Sequence, residues 1–257
     1  MRILCLSTLG PVAPSKQRVP RSSRGGRASF SLDVPCGLLI TLAVTERMPT
    51  SQPSPQTMSP LAVKVRPLTL ARWPDLENLF GKRGACGGCW CMLWRLNRSQ
   101  YESQKGNANK RALKRTVQSG NAPGLLAYVG NQPVGWCALA PREAYPALER
   151  SRVLQRIDNE AVWSIACLFV ARPYRRKGVS VQLLRAAVDH VRKHGGSILE
   201  GYPQEPKKNP MPDVFAHTGI ASAFRSAGFT EQIRRSPTRP IMRCATTPKD
   251  RLQIAPS

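Results

Sequence analysis

Three consecutive cations and a glycine separate an apolar strand pattern from an apolar helix pattern in the stretch CLFVARPYRRKGVSVQLLRAA. Arg175, Arg176 and Lys177 repel one another, and a turn tolerates them where it is solvated or meets an anion. Gly178 has no Cβ, so the backbone can approach a ligand closely, and Ser180 is small. The first amides of the following helix add positive potential. The stretch therefore predicts either a pyrophosphate-binding turn or a solvated basic turn before a surface helix.

A second group of residues that could carry chemistry is the stretch CGGCWC, which contains Cys86, Cys89 and Cys91. Closely spaced thiolates are typical zinc ligands, but a structural zinc site usually needs a fourth ligand with similar spacing. No His or Cys follows nearby, and the next cysteines fall in predicted strands. We therefore expect no metal site and interpret these residues as reduced, partly buried thiols.

Candidates for acid–base chemistry are scattered and belong to no motif. A structural role explains each of them better than a catalytic one does, so the sequence leaves the catalytic residues unassigned. The candidates are Glu143, Glu160, Glu200, Tyr202 and His217.

The elements that must position these residues follow the order βααββ and then βαβαββ. The segment 160–171 is apolar on both faces, which is typical of a central strand. The segment 178–195 predicts a long helix that ends at Gly195 and Gly196. The other predicted strands cover 61–69, 197–203, 229–236 and 239–245, a hairpin covers 124–140, and the other predicted helices cover 71–81, 107–120 and 218–229.

Composition divides the 257 residues into three parts. Residues 1–57 are rich in Pro, Ser and Arg and predict a disordered extension, because they cannot bury enough apolar surface. An inert extension, an organelle transit segment and a secretory signal all remain open for it. Residues 58–247 predict one globular domain, and 248–257 a C-terminal tail.

The formal net charge of +24 favours anionic partners without choosing among them. Basic runs such as KRALKR and RRSPTR would suit nucleic acid, but no nucleic-acid-binding module is recognisable, so we do not expect that as the main function. The apolar run CGLLITLAV is too short for a membrane span, so no membrane role is expected. The 8 cysteines form no obvious disulfide framework. We expect a cytoplasmic protein, with an organelle as the alternative.

The spacing Arg175-x-x-Gly178-x-Ser180 resembles the acetyl-CoA signature of the GCN5-related N-acetyltransferase (GNAT) family, R/Q-x-x-G-x-G/A, with Ser180 as a small departure. AFRSAGF resembles the family's late helix and turn. CGGCWCMLWR, GWCALAPREAYPALERS and RRSPTRPIMR resemble a bacterial-type subgroup of GNAT proteins. The resemblance implies an α/β (α+β) fold whose mixed sheet is mostly antiparallel, with one splayed parallel pair and flanking helices.

The resemblance also implies the activity, which is direct transfer of an acetyl group from acetyl-CoA, as co-substrate, to an amine. A small molecule or a protein would supply that amine, and a homodimer is left open. Trp90 and Trp94 would then be either a packing pair or an aromatic wall near the acceptor. The implied cofactor-binding residues are Leu168 and Val170, through their backbone, and Arg175, Arg176, Lys177, Gly178, Val179 and Ser180.

Two departures from the family pattern concern catalysis. Phe224 stands where many members have a Tyr that protonates the leaving sulfur, and Ser164 stands where some have a Glu. A thiol pKa is only about 8.5, so the thiolate can leave unaided. An acyl-CoA sensor without turnover is the alternative to an enzyme.

Overall fold

The computed structural model describes residues 61–206 and 213–246, and of 213–215 the backbone alone. The predicted extension over 1–57, the start of the domain at 58 and the tail over 248–257 lie outside the described residues. They stay predictions.

Seven strands form one sheet in the order β1-β2-β3-β4-β5-β7-β6. β4 and β5 are parallel, and every other neighbouring pair is antiparallel. This arrangement confirms the expected fold class. The strands are β1 (Lys64–Pro67), β2 (Gly124–Val129), β3 (Gln132–Pro141), β4 (Trp163–Val170), β5 (Ile198–Gly201), β6 (Thr230–Arg234) and β7 (Pro240–Ala245).

Helices cover both faces of the sheet, and the described helices are more numerous than expected. Two short ones, α2 and α4, were not predicted, although Asn97 and Gln100 form a capping box at the start of α2. No described helix is long and apolar enough to cross a membrane. The helices are α1 (Trp73–Phe80), α2 (Arg98–Ser103), α3 (Asn107–Gln118), α4 (Pro146–Glu149), α5 (Val179–Lys193) and α6 (Ala221–Ser226).

The core lies on both sides of the central strands. On one face, α5 buries an apolar stripe that includes Leu183, Leu184 and Ala187 against β2 to β5, as its 3.6-residue period predicts. The other face carries two clusters. One joins α1, α3 and the segment around Trp90, and the other surrounds Tyr145. The sheet thus packs against α5 on one side and against α1, α3 and irregular segments on the other.

Candidate active site

β4 and β5 stay paired over a short distance only and then separate. Trp163–Ile165 pairs with Leu199–Gly201, and the register stops there. We call this paired region the closed end. β4 continues to Val170 along β3, while no described strand pairs with its other edge beyond Ile165. We call the region around Leu168 and Val170 the open end.

An irregularity in β4 marks the transition between the two ends. Ala138 is opposite Cys167 while Leu139 is opposite Ile165, so Ala166 is an extra residue on β4. Such a β-bulge bends its strand and increases the local twist. The bulge therefore turns the C-terminal half of β4 away from β5.

The backbone groups of the open end point into the gap. The Ala171 N–H donates to the Val134 carbonyl on β3, at 2.9 Å. Because successive residues of a strand direct their backbone groups to alternate edges, those of Leu168 and Val170 face away from β3. The Val170 carbonyl accepts a hydrogen bond from Arg175 Nε at 2.9 Å. The open end thus has an edge suited to an extended ligand.

The basic turn lies directly beyond this edge. Gly178 has φ +77°, in the left-handed region, and precedes α5 without a side-chain cap. The first bond of the helix runs from Gln182 N–H to the Gly178 carbonyl at 3.1 Å, so the preceding amides point out of the helix. Arg176 and Lys177 are exposed, and a Cβ at Gly178 would meet no atom within 4 Å. The turn is therefore accessible and presents amides and cations together.

The opposite wall of the gap is a 3₁₀ helix, Asp213–Thr218, followed by Gly219. A Cβ at Gly219 would lie 2.7 Å from Leu168 Cδ1, so this segment packs closely against the open end. His217 belongs to it. Of the predicted acid–base candidates, His217 is thus the one whose segment packs against the open end.

The sequence comparison agrees with this geometry. Residues 90–206 match the profile of the Acetyltransferase (GNAT) family, and that range includes β4, the basic turn and α5. The matched segment, 90–206, is therefore a GNAT acetyltransferase segment. No curated protein matches the sequence.

Solved structures similar to this chain include three from microorganisms. The PaiA N-acetyltransferase of Thermoplasma acidophilum, in complex with coenzyme A, is 17% identical over 72% of this chain and 99% of its own, with a TM-score of 0.41. A GNAT acetyltransferase of Streptococcus agalactiae is 12% identical over 71% of this chain and 95% of its own, with a TM-score of 0.44. An N-acetyltransferase of Staphylococcus aureus is 9% identical over 72% of this chain and 99% of its own, with a TM-score of 0.43.

Two predicted candidates, Glu200 and Tyr202, lie at the closed end in a buried polar network. Glu200 accepts from Arg142 Nη1 at 2.8 Å, from the Tyr202 hydroxyl at 2.7 Å and from Arg243 Nε at 2.7 Å. The Tyr202 hydroxyl also contacts Ser164 Oγ at 2.8 Å. Every polar group named here has a buried partner, which is the condition for burying such groups stably.

Burial raises the pKa of Tyr202 well above 10, and the nearby Glu200 carboxylate adds to this effect. A phenol with such a pKa and no exposure to solvent does not exchange protons readily. Arg142, which the sequence analysis missed, anchors the network and is 1% exposed. Its only sequence signal is a cation within an otherwise buried stretch.

The remaining carboxylate candidates are on the surface. Glu143 accepts from Arg156 Nη2 at 2.6 Å. A backbone hydrogen bond and Arg156 hold the pKa of Glu143 below its usual value. Glu160 is exposed, and its N–H donates to Asp158 Oδ1 at 3.1 Å. Glu143 follows the C-terminal end of β3, which lies beside the closed end of β4.

Phe224 is a core residue of the GNAT fold. It is fully buried, its ring centroid lies 5.0 Å from that of Phe229, and a Cβ at Gly201 would lie 2.2 Å from its Cε1. The aromatic ring therefore packs under β5, where the sequence resemblance expected a proton donor. Ser164, the other departure, is buried in the closed-end network.

The cysteine-rich segment packs without forming a recognisable metal site in the described residues. Cys91 is buried, and its sulfur accepts from Trp136 Nε1 at 3.1 Å. Cys86 is exposed. Trp90 stacks on Trp73 in one cluster while Trp94 packs in another, because this segment is not helical and a spacing of four residues does not bring them together.

The arginines of RRSPTR are largely bound within the domain. Arg234 contacts Glu205 and Glu231, at 2.6 Å for the latter. Arg235 donates to the carbonyl oxygens of Gln155 and Arg156, at 2.6 and 3.0 Å. These side chains stabilise the turn between β6 and β7, which reduces what they can offer to phosphates of a nucleic acid.

Proposed function

We propose that this GNAT protein transfers an acetyl group from acetyl-CoA to a primary amine. The observation that carries the proposal is the open end of β4, where backbone groups of Leu168 and Val170 face a gap that leads to the N-terminus of α5. An extended chain fits such an edge, and an anion fits such a helix terminus.

The pyrophosphate of acetyl-CoA would bind at Gly178, Val179 and Ser180, with Arg176 and Lys177 adding charge. These amides have no partner within the helix, and the glycine lets the phosphates come close. Arg175 has a different role in this proposal. Its Nε holds the Val170 carbonyl, so it ties the basic turn to β4.

The pantetheine would lie along Leu168 and Val170, with the thioester near Leu168. The amine nitrogen attacks the thioester carbonyl carbon, a C–N bond forms, and the C–S bond breaks. The amine proton goes to solvent or to a nearby base, and the thiolate leaves and takes up a proton as free CoA. A backbone N–H at Leu168 would stabilise the oxyanion.

No general acid is required for this reaction. The thiolate is a fair leaving group, so positioning and the oxyanion contact carry the rate. Leaving-group protonation through Phe224 is chemically impossible. The same residue also favours a second candidate function, a sensor that binds acyl-CoA without turnover.

Release of CoA from acetyl-CoA in the presence of a panel of primary amines tests the proposal. We expect stoichiometric CoA and N-acetylated amine, identified by mass. Tight acetyl-CoA binding without release across the panel would favour the sensor. Failure to bind acetyl-CoA at all would contradict both functions.

A further inference from the structure

Arg239 is a partly buried arginine that has no acidic partner in the described part of the chain. Its Nε and Nη2 are buried and have no hydrogen-bond partner there. Its Nη1 is occupied, since the Gln204 amide, with its oxygen toward Arg239, accepts at 2.5 Å and donates to the Thr238 carbonyl at 3.2 Å. One nitrogen of the group is thus held by the protein while two remain unsatisfied.

Arg243, on the same face of the sheet, is an arginine whose guanidinium nitrogens have carboxylate partners. Arg239 comes directly before β7, and side chains two apart share a face, so Arg239, Ile241 and Arg243 line one face of the sheet. Arg243 donates to Glu200 at 2.7 Å and to Asp158 at 2.6 and 2.9 Å. Among residues 61–206 and 213–246, Arg239 has no such carboxylate partner, although burying an unpaired charge is costly.

The two unsatisfied nitrogens are a matched pair. Nε and Nη2 lie on the same edge of the planar guanidinium, and their N–H bonds run parallel. That edge is the one that forms two hydrogen bonds with the oxygens of a single carboxylate. The Gln204 amide fixes the opposite side of the group, which holds this edge in a defined direction.

Arg239 lies level with the open end of β4. The last pair between β4 and β5 is Ile165 with Gly201. Leu168 and Gln204 each follow that pair by three residues, which is about 10 Å along a strand. The chain after β5 stays joined to the β6–β7 turn, since Glu205 N–H donates to the Thr238 carbonyl at 2.9 Å. Arg239 therefore lies at the height of the thioester, across the chain that follows β5 from the gap.

Arg239 also lies on the face from which an acceptor would enter. Ile241, on its row, packs in the cluster of Tyr145 and Tyr202, whereas α5 covers the opposite face. The pyrophosphate at the start of α5 would occupy the α5 side. The other side is left for the amine.

We infer that Arg239 binds a carboxylate of the acceptor, so that the substrate is a small amine that also carries a carboxylate group. This inference rests on the proposed acetyl transfer and narrows its substrate class. The carboxylate would supply the missing counter-charge and fix the distance between its own amine and the thioester.

Matched amine pairs test the inference. β-Alanine and 4-aminobutyrate are each compared with the carboxamide of the same chain length, and CoA release gives kcat/KM. We expect the parent protein to favour each carboxylate by at least about tenfold, the effect of a charge-assisted pair. The carboxamides have more of their amine in the neutral form, so this bias works against the expected result.

Variants assign the preference to the side chain. Arg239→Gln should bring the carboxylate preference to within about threefold of unity, and Arg239→Lys should keep part of it, since an ammonium is a point charge. Lys193→Gln removes one charge at the other end of α5 and should keep the full preference. Arg239→Gln should keep acetyl-CoA affinity. Loss of a structural ion pair would lower the unfolding midpoint, whereas Arg239→Gln should not.

The outcomes separate this inference from the proposed function. Absence of acetyl-CoA binding overturns both. Acetyl-CoA binding with equal rates for each pair, or with a preference that survives Arg239→Gln, overturns the carboxylate site alone. If no member of the pairs reacts, the CoA-loaded protein is titrated with the same carboxylates by NMR. Chemical shift changes in the parent that disappear in Arg239→Gln support the site, and their absence in the parent contradicts it.

Discussion

The two ends of the β4–β5 gap differ in what their polar groups contact. At the closed end, Glu200, Tyr202 and Arg142 satisfy one another in the interior. At the open end, backbone groups of β4 and the first amides of α5 face outward beside exposed cations. The comparison teaches that the buried carboxylate and phenol do not mark this site. Unsatisfied donors mark it instead.

The closed end explains why two chemically attractive residues are unsuited to catalysis. Each Glu200 oxygen is bound by an arginine, and the Tyr202 hydroxyl donates to the same carboxylate. Protonation of Glu200 would leave Arg142 and Arg243 without their shared counter-ion, and deprotonation of Tyr202 would place a second negative charge beside Glu200. The network therefore holds β5 against β3 and β7 and defines where the gap begins.

The largest expected effect concerns the closed end. Arg142→Met should lower the free energy of unfolding by about 3–5 kcal/mol, because the buried Glu200 carboxylate loses a partner. The matched control is Arg156→Gln, which removes a half-exposed arginine and should cost less than about 1 kcal/mol. Urea unfolding with an unchanged m-value measures both. Equal losses in the two variants would contradict the difference between the buried and exposed arginines.

Substitutions of Tyr202 and His217 should have smaller effects, the first mainly on stability and the second mainly on turnover. Tyr202→Phe should destabilise by about 1–3 kcal/mol, since Ser164 and Arg142 lose a partner, yet reduce kcat less than about tenfold. His217→Ala, on the wall of the open end, should cost more in kcat, up to about a hundredfold. Stopped-flow assays at temperatures where both variants are folded measure the ratio. A larger kcat loss for Tyr202→Phe would place the chemistry at the closed end.

The smallest effect is expected at Phe224. Phe224→Tyr buries a hydroxyl against Gly201 and should cost about 1–2 kcal/mol of stability. Turnover should stay within about tenfold of the parent, because protonation of a good leaving group adds little. Thermal unfolding and CoA release check the two parts. A rise in kcat well beyond tenfold would show that a missing acid limits the parent enzyme.

The region that sequence predicts best is β4, the basic turn and α5. These elements are contiguous, their apolar periods of 2 and 3.6 are regular, and Gly178 marks the turn between them. The expected fold class and the separation of β4 from β5 came from the family resemblance carried by that stretch. The described register confirms both.

Contacts between residues far apart in the sequence could not be predicted from local sequence patterns. Arg142 and Glu200 are 58 positions apart, and nothing local indicates that they meet. The segment around Trp90 contains several positive φ values, so its side chains follow no helical or strand period. Arg239 looked like one of several cations in a basic turn. Only the folded chain shows that Arg234 and Arg235 have partners and that two nitrogens of Arg239 have none among the described residues.

The central claim is that the open end with its basic turn binds acetyl-CoA, and one pair of glycines tests it directly. Gly178 and Gly195 lie at the two ends of α5, have φ +77° and +76°, and each has no atom within 4 Å of an added Cβ. Valine at either position should strain the backbone equally, by about 1–2 kcal/mol.

Calorimetric titration with acetyl-CoA compares the parent, Gly178→Val and Gly195→Val. We predict parent-like affinity for Gly195→Val and at least a tenfold weaker Kd for Gly178→Val, since the new side chain keeps phosphates from the amides. Equal affinity of the two variants, or no binding by the parent, would contradict the account.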